Sequence, residues 1–220
     1  KEHYLLSKSS TKYDPYELVH MEPISFTSRD GLTIHGYLST PLGKKGKVPL
    51  VLNVHGGPWA NDSWGFDESA QWLCNRGDAV LQVNYRGSTG YGKDFINAGD
   101  KEWGKKMHDD LVDAVNWATK SNIADPDKVA IFGGSYGGYA ALAGVTFTPD
   151  LFCCAVDIVG PSNLITLINS FPPYWKPFVE KIKRRVGDPE TEKEMLMDRS
   201  PLNHAHKIKK PLLIGQGAND

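Results

Sequence analysis

Cysteine is scarce in this chain: three in 220 residues, two of them adjacent at Cys153 and Cys154. That count excludes a disulfide framework, which needs several paired cysteines. The adjacent pair lies in an apolar, strand-like run and reads as buried thiols in a reducing compartment, so a cytoplasmic setting is expected. Charge of one sign is missing too. With 25 basic and 26 acidic residues the net charge is −1 and the pI near 6.7, no electrostatic footprint for nucleic acid or an anionic membrane surface. No apolar run reaches the roughly 20 residues that span a bilayer. The opening Lys1-Glu2-His3-Tyr4 lacks a signal-peptide core. There is no internal repeat and no low-complexity tract. No His/Cys/Asp cluster has metal-ligand spacing, so neither metal nor cofactor is expected.

What remains is a globular composition, 40% hydrophobic and 23% charged, long enough for one domain with a full core. Residues 1–23 are polar and without period, and read as an entering linker to a domain over 24–220. Ile24 to Ser28 and Leu32 to Ser39 alternate around Arg29-Asp30-Gly31, the pattern of a β-hairpin. Leu50 to Val54, Ala79 to Val83, Val129 to Phe132, Val156 to Val159 and Pro211 to Gly215 read as short buried strands. Between them, Asp67 to Arg76 has helical spacing and stops at Gly77, while Asp109 can cap a helix whose apolar face is Leu111, Ala114, Val115 and Ala118. Alternating strands and helices predict an α/β fold, a mostly parallel sheet with helices on both faces, opened by an antiparallel hairpin. Residues 162–200 break the rhythm with Pro172-Pro173, Trp175, Pro177 and the basic run Lys181 to Arg185. They read as a lid-like insertion over one edge of the sheet.

The chemistry concentrates in Gly133-Gly134-Ser135-Tyr136-Gly137-Gly138-Tyr139. This is a Gly-x-Ser-x-Gly sequence between a strand-like run and a small-residue helical run, the context of a nucleophile elbow in the α/β-hydrolase fold. Ser135 then sits on a strained strand-to-helix turn with its hydroxyl above the sheet, and the flanking glycines leave room for close backbone approach. A serine hydroxyl needs a base to take its proton and a carboxylate to orient that base. The order expected for this fold is Ser, then Asp or Glu, then His. Asp220, after a short strand and the turn Gln216-Gly217-Ala218-Asn219, is the candidate acid. His3, His20, His35, His55 and His108 precede Ser135, and His204 and His206 precede Asp220 as exposed residues. The base is therefore expected beyond Asp220, and the fold is expected to be truncated at its C-terminal end. His55-Gly56-Gly57-Pro58-Trp59, directly after a strand, supplies a second element: a Gly-Gly pair can turn the backbone and present an amide to a developing oxyanion. The amide of Tyr136, next after the nucleophile, is the other expected donor.

Four segments in order, His55-Gly-Gly-Pro-Trp59, Asn84-Tyr-Arg-Gly-Ser-Thr-Gly-Tyr-Gly92, the elbow, and Gly215-Gln-Gly-Ala-Asn-Asp220, resemble the catalytic domain of the prolyl oligopeptidase family, in particular its acylaminoacyl-peptidase-like branch. The resemblance implies Ser135 as nucleophile, Asp220 as triad acid, and the amides of Gly57 and Tyr136 as an oxyanion hole. It implies a peptide substrate, hydrolysis through an acyl-enzyme, and an N-terminal β-propeller before residue 1. Prolyl oligopeptidases and dipeptidyl peptidases place a tyrosine where His55 stands, so no phenolic oxyanion donor is implied. Lacking its histidine, the chain alone is expected to be inactive. A carboxylesterase of the same fold, or a non-catalytic fragment, stays open beside the peptidase, as does oligomerisation.

Tyr136, Pro161, Leu164, Tyr174 and Trp175 can wall an apolar pocket for the residue before the scissile bond, with core or lid packing as the alternative. Gly87-x-x-Gly90-x-Gly92 lacks the Gly-Lys-Ser/Thr ending of a phosphate loop and reads as a substrate-side loop. Arg86 reads as a structural ion pair, Trp103 as packing and His108 as surface. Lys44-Lys45-Gly46-Lys47 reads as a solvated loop, and the sequon Asn61-Asp62-Ser63 as chance.

Overall fold

The computed structural model describes residues 17–220, so residues 1–16 of the expected linker lie outside the described residues. Seven strands form one sheet among these residues: β1 (Met21–Thr27), β2 (Thr33–Ser39), β3 (Val48–Val54), β4 (Ala79–Asn84), β5 (Ala124–Gly134), β6 (Cys154–Ile158) and β7 (Leu212–Gly215). Their spatial order is β1-β2-β4-β3-β5-β6-β7. β1 pairs antiparallel with β2 and β2 with β4, while every other neighbour is parallel. The expected hairpin is present and opens the sheet. Its first strand starts at Met21, three residues before the apolar pattern does, because Met21 pairs with Ser39 across the ladder.

The helices are α1 (Glu68–Asn75), α2 (Lys93–Asn97), α3 (Lys106–Lys120), α4 (Tyr136–Phe147), α5 (Leu164–Ser170), α6 (Lys176–Arg185) and α7 (Lys193–Asp198). α1 begins where Asp67 accepts the amide of Ala70 at 2.7 Å, and stops at Gly77, whose φ of 97° a side chain would resist. The period-2 rule divides β4 between two cores. Val80 packs with Ala70 and Cys74 of α1, whereas Ala79, Leu81 and Val83 join the main core with α3 and α4. Helices thus cover both faces of the sheet, as the alternating pattern implies.

α3 starts three residues ahead of the expected cap. Lys105 is its first flanking residue and Asp109 lies in its first turn, where it pairs with Arg29 at 2.8 Å instead of capping. The expected apolar face, Leu111, Ala114, Val115 and Ala118, is buried. His108 is buried too, not on the surface: its Nε2 lies 3.1 Å from the Thr148 hydroxyl and its ring edge packs on Phe147. Burial pushes its pKa down to about 4, so it stays neutral. Cys74 is buried, and Cys153 and Cys154 are half-buried free thiols.

Arg86 does fold back as an ion pair. It donates to Asp110 at 2.8 Å and to Asp30 at 2.7 Å, with Arg86 and Asp110 almost wholly buried. The pairs tie the β1–β2 turn to the end of β4 and the start of α3.

Candidate active site

α4 grows from the end of β5 through one strained residue. Ser135 has φ 57° and ψ −117°, a left-handed conformation that L side chains avoid. The amide of Ser135 donates to the Ile158 carbonyl at 2.9 Å, and its carbonyl accepts from Tyr139 at 3.0 Å, so both neighbouring elements hold the turn. The glycines explain how it fits. A Cβ on Gly137 would strike the Val54 carbonyl, and one on Gly133 would strike Gly137 itself. Gly138 and Gly160 face each other as closely, beside Asp157, whose carboxylate accepts the Gly160 amide at 2.8 Å. The result is an exposed Ser135 on a helix otherwise buried almost throughout.

Ser135 opens onto a cavity of about 610 Å³ that brings together Gly57, Tyr136 and Asp220. Each follows a parallel strand at its C-terminal end, where open α/β sheets place their ligands. Gly57, at φ 124°, turns so tightly that a Cβ would crowd the Trp59 amide. Among the described residues, the amides of Gly57 and Tyr136 donate to no backbone carbonyl outside the regular elements, and Tyr136 begins α4, where an amide has no intrahelical partner. Two unpaired donors beside an exposed hydroxyl can stabilise a tetrahedral oxyanion. Asp220 is exposed, its amide donating to Gly217 at 3.3 Å.

Among the described residues no histidine hydrogen-bonds to Ser135, and four histidines are engaged elsewhere. His55 stacks on Tyr85 with centroids 4.5 Å apart, its Nδ1 against the Gly56 carbonyl at 2.7 Å and its Nε2 against Ser88 Oγ at 3.0 Å. Burial lowers its pKa, partly offset by the Gly56 carbonyl. His35 stacks on Tyr91. His204 faces the Asp198 carbonyl and packs on Phe147, half-buried where an exposed residue is expected. His20 and His206 are exposed. His3 lies outside the described residues.

The expected pocket residues divide. Tyr136, Pro161 and Trp175 line the cavity. Leu164 does not: it is fully buried in the core. α5 turns Leu164 and Ile168 inward, at i and i+4, and gives Asn163, Thr166, Leu167 and Ser170 to the cavity. Tyr174 is 79% exposed and points away, because successive residues of the 3₁₀ turn Pro173–Trp175 diverge. The loop of Gly87, Gly90 and Gly92 is not among the residues that line the cavity. It instead supports the Gly57 loop, through Ser88 on His55 and the Thr89 amide on the Ala60 carbonyl at 2.9 Å.

Several cavity residues escape the sequence reading: Trp59, Trp103, Leu167, Phe171, Phe178 and Ile182. Phe171, Trp175 and Phe178 contact one another with centroids 5.2–6.1 Å apart, but they come from the end of α5, the 3₁₀ turn and α6, so no single helical period marks them. Val159, another cavity residue, has φ 51°, an outlier for a β-branched residue that no local pattern marks. Its amide is held by the Gly215 carbonyl at 2.8 Å.

A strained serine between a parallel strand and a buried helix, beside free amides at the strand ends, defines an α/β-hydrolase fold. The model of the prolyl oligopeptidase family matches residues 64–220, and the chain belongs to that family. It is 57% identical over 225 residues to dipeptidyl aminopeptidase BIII of Pseudoxanthomonas mexicana, covering 98% of this chain and 33% of that protein. It is 32% identical over 183 residues to the human acylamino-acid-releasing enzyme, covering 80% and 24%. The uncomplexed acylaminoacyl peptidase of Pyrococcus horikoshii superposes with a TM-score of 0.84 at 28% identity, covering 94% of this chain and 33% of that one. The chain thus spans about a quarter to a third of the length of these relatives.

Proposed function

We propose that the protein to which this chain belongs is a serine peptidase that hydrolyses short peptides or acyl-aminoacyl peptides through an acyl-enzyme on Ser135. The observation that carries this reading is the exposed, strained Ser135 beside the free amides of Gly57 and Tyr136 in one cavity. Ser135 Oγ attacks the scissile carbonyl carbon as its proton passes to a histidine base. The carbonyl oxygen, now anionic, accepts from the two amides. Collapse of the intermediate breaks the C–N bond, and the departing amine takes the proton from the imidazolium. Water then repeats the sequence in reverse on the ester. Asp220 orients the histidine, which we assign to a part of the longer protein outside these 220 residues. A further N-terminal domain, a β-propeller by the family resemblance, belongs to the same proposal.

The relatives named as an aminopeptidase and as acylamino-acid-releasing enzymes support amide over simple ester substrates. The aromatic wall of Phe171, Trp175 and Phe178 supports a bulky apolar side chain beside the scissile bond. The test is Ser135→Ala in the longer protein. Fluorophosphonate labelling should disappear, and aminoacyl-nitroanilide turnover should fall to the residual ~10³–10⁴-fold over water left by oxyanion hole and binding. Labelling that persists on another residue would refute the assignment.

A further inference from the structure

The loop that carries Gly57 is fastened to β4 at Asp62, and one contact there is unfinished. Gln82 and Asn84 lie two residues apart on β4 and share a face. Asn84 binds the Asp62 backbone at two points: its Oδ1 accepts the Asp62 amide at 2.8 Å, and its Nδ2 donates to the Asp62 carbonyl at 3.0 Å. Gln82 meets the Asp62 side chain, its Nε2 donating to Oδ1 at 3.4 Å and to Asp67 Oδ2 at 3.5 Å. The other half of each group has no partner. Asp62 Oδ2 and Gln82 Oε1 are both buried acceptors without a donor. Turning the Gln82 amide over offers no remedy, because it would set Oε1 against two carboxylates.

Two orphan acceptors, on two groups already joined by their other atoms, would both be satisfied by one proton shared between them. We infer that Asp62 is protonated on Oδ2 and donates to Gln82 Oε1, closing a two-point carboxylic acid–amide pair that makes Asp62 the positioning residue for Gly57. The inference rests on the oxyanion role proposed above for Gly57. The surroundings favour the neutral acid. The titratable groups around Asp62 are Asp67 at the start of α1, the phenols of Tyr85 and Tyr91, and His35 and Tyr37 on β2 opposite Asn84 and Gln82. Among the described residues the charge that acts on the Asp62 carboxyl is that of Asp67. Burial first, then the charge of Asp67, push the Asp62 carboxyl up to about 7. A carboxyl whose folded value is raised contributes stability that is full below its ordinary value, near 3.8, and lost as pH rises through about 7. The loop should therefore loosen on the alkaline side.

Asp62→Asn separates the possibilities, because an amide is neutral at every pH and can donate to Gln82 Oε1 while accepting from Nε2. In the longer protein, wild-type kcat should fall on the alkaline side with KM little changed, and Asp62→Asn should abolish that limb. Asp62→Ala should lower kcat at all pH, on the order of 10²-fold, the cost of a misplaced oxyanion donor. Thermal unfolding gives a readout independent of peptidase activity: wild-type stability should decline between about pH 4 and 7 by more than that of Asp62→Asn. Failure of turnover alone, with that difference intact, would refute the catalytic proposal and leave the shared proton standing. An Asp62→Asn profile that matches wild type would overturn the inference. So would an Asp62→Asn variant as damaged as Asp62→Ala, or stabilisation by alkali or calcium salts that Asp62→Asn removes, since a cation would then fill the proton's place.

Discussion

At the scale of single residues, the sharpest energetic statement concerns Arg86 and Asp110. Both are almost fully desolvated, and Asp110 also accepts the Arg86 amide and the Ser28 hydroxyl. Removing one partner leaves a buried charge uncompensated, so Asp110→Ala should destabilise by about 3–5 kcal/mol. The double change Arg86→Met with Asp110→Leu should recover much of that loss, because it removes both charges. Denaturant unfolding of the three variants measures it, and additive losses would contradict the pairing. Arg86 was legible as a structural residue because a lone arginine after a buried strand has to find an anion. The position of His108 was not legible: only the burial of α3 against α4 shows that a histidine within an apolar stripe faces inward. Gln82 and Asn84 carried a signal that went unread, two alternate polar residues on a strand otherwise apolar.

At the scale of elements, period and capping located all seven strands and the helices α1, α3 and α4, since burial on one face leaves its rhythm in the chain, but not α2, α5, α6 or α7. Boundaries moved where pairing or neighbours decide them. β5 runs from Ala124 to Gly134, well beyond its apolar segment, and α3 starts ahead of Asp109. The insertion at 162–200 was legible as a break but not as α5, α6 and α7, because proline and charge hide its helical stripes. Those stripes matter for specificity. Trp175 lines the cavity while 46% exposed, whereas its neighbour Tyr174 is turned outward. Trp175→Ala should shift the kcat/KM ratio between aromatic and aliphatic substrates by about tenfold or more, with little change in Tm. Tyr174→Ala should change neither quantity. Loss of stability without a change in preference at Trp175 would assign it to packing instead.

At the scale of the molecule, the site is assembled from the C-terminal ends of β3, β5, β6 and β7, and no short segment contains it. That is why the elbow and the Gly-Gly turn were readable as motifs, while the wall facing them was readable only in part, at Tyr136, Pro161 and Trp175. The same assembly fixes what the 220-residue chain can do by itself. Ser135 meets Gly57, Tyr136 and Asp220 in one cavity, and among the described residues no histidine hydrogen-bonds to it. We expect the chain alone to hydrolyse aminoacyl-nitroanilides at least ~10³-fold more slowly than the longer protein, the scale on which loss of a triad member acts. The sheet adds a physical consequence. Among the described residues β7 pairs with β6 alone, and Leu213 and Ile214 are each 58% exposed. An apolar edge strand of this kind templates pairing with a second chain. The isolated chain should therefore self-associate with rising concentration in sedimentation or light scattering, and Ile214→Lys should reduce that association without affecting the elbow. Turnover by the chain matching that of the longer protein would sink the missing-base argument, since one of the described histidines, or His3, would then have to reach Ser135. A chain that stays monomeric at high concentration would sink the edge-strand argument alone.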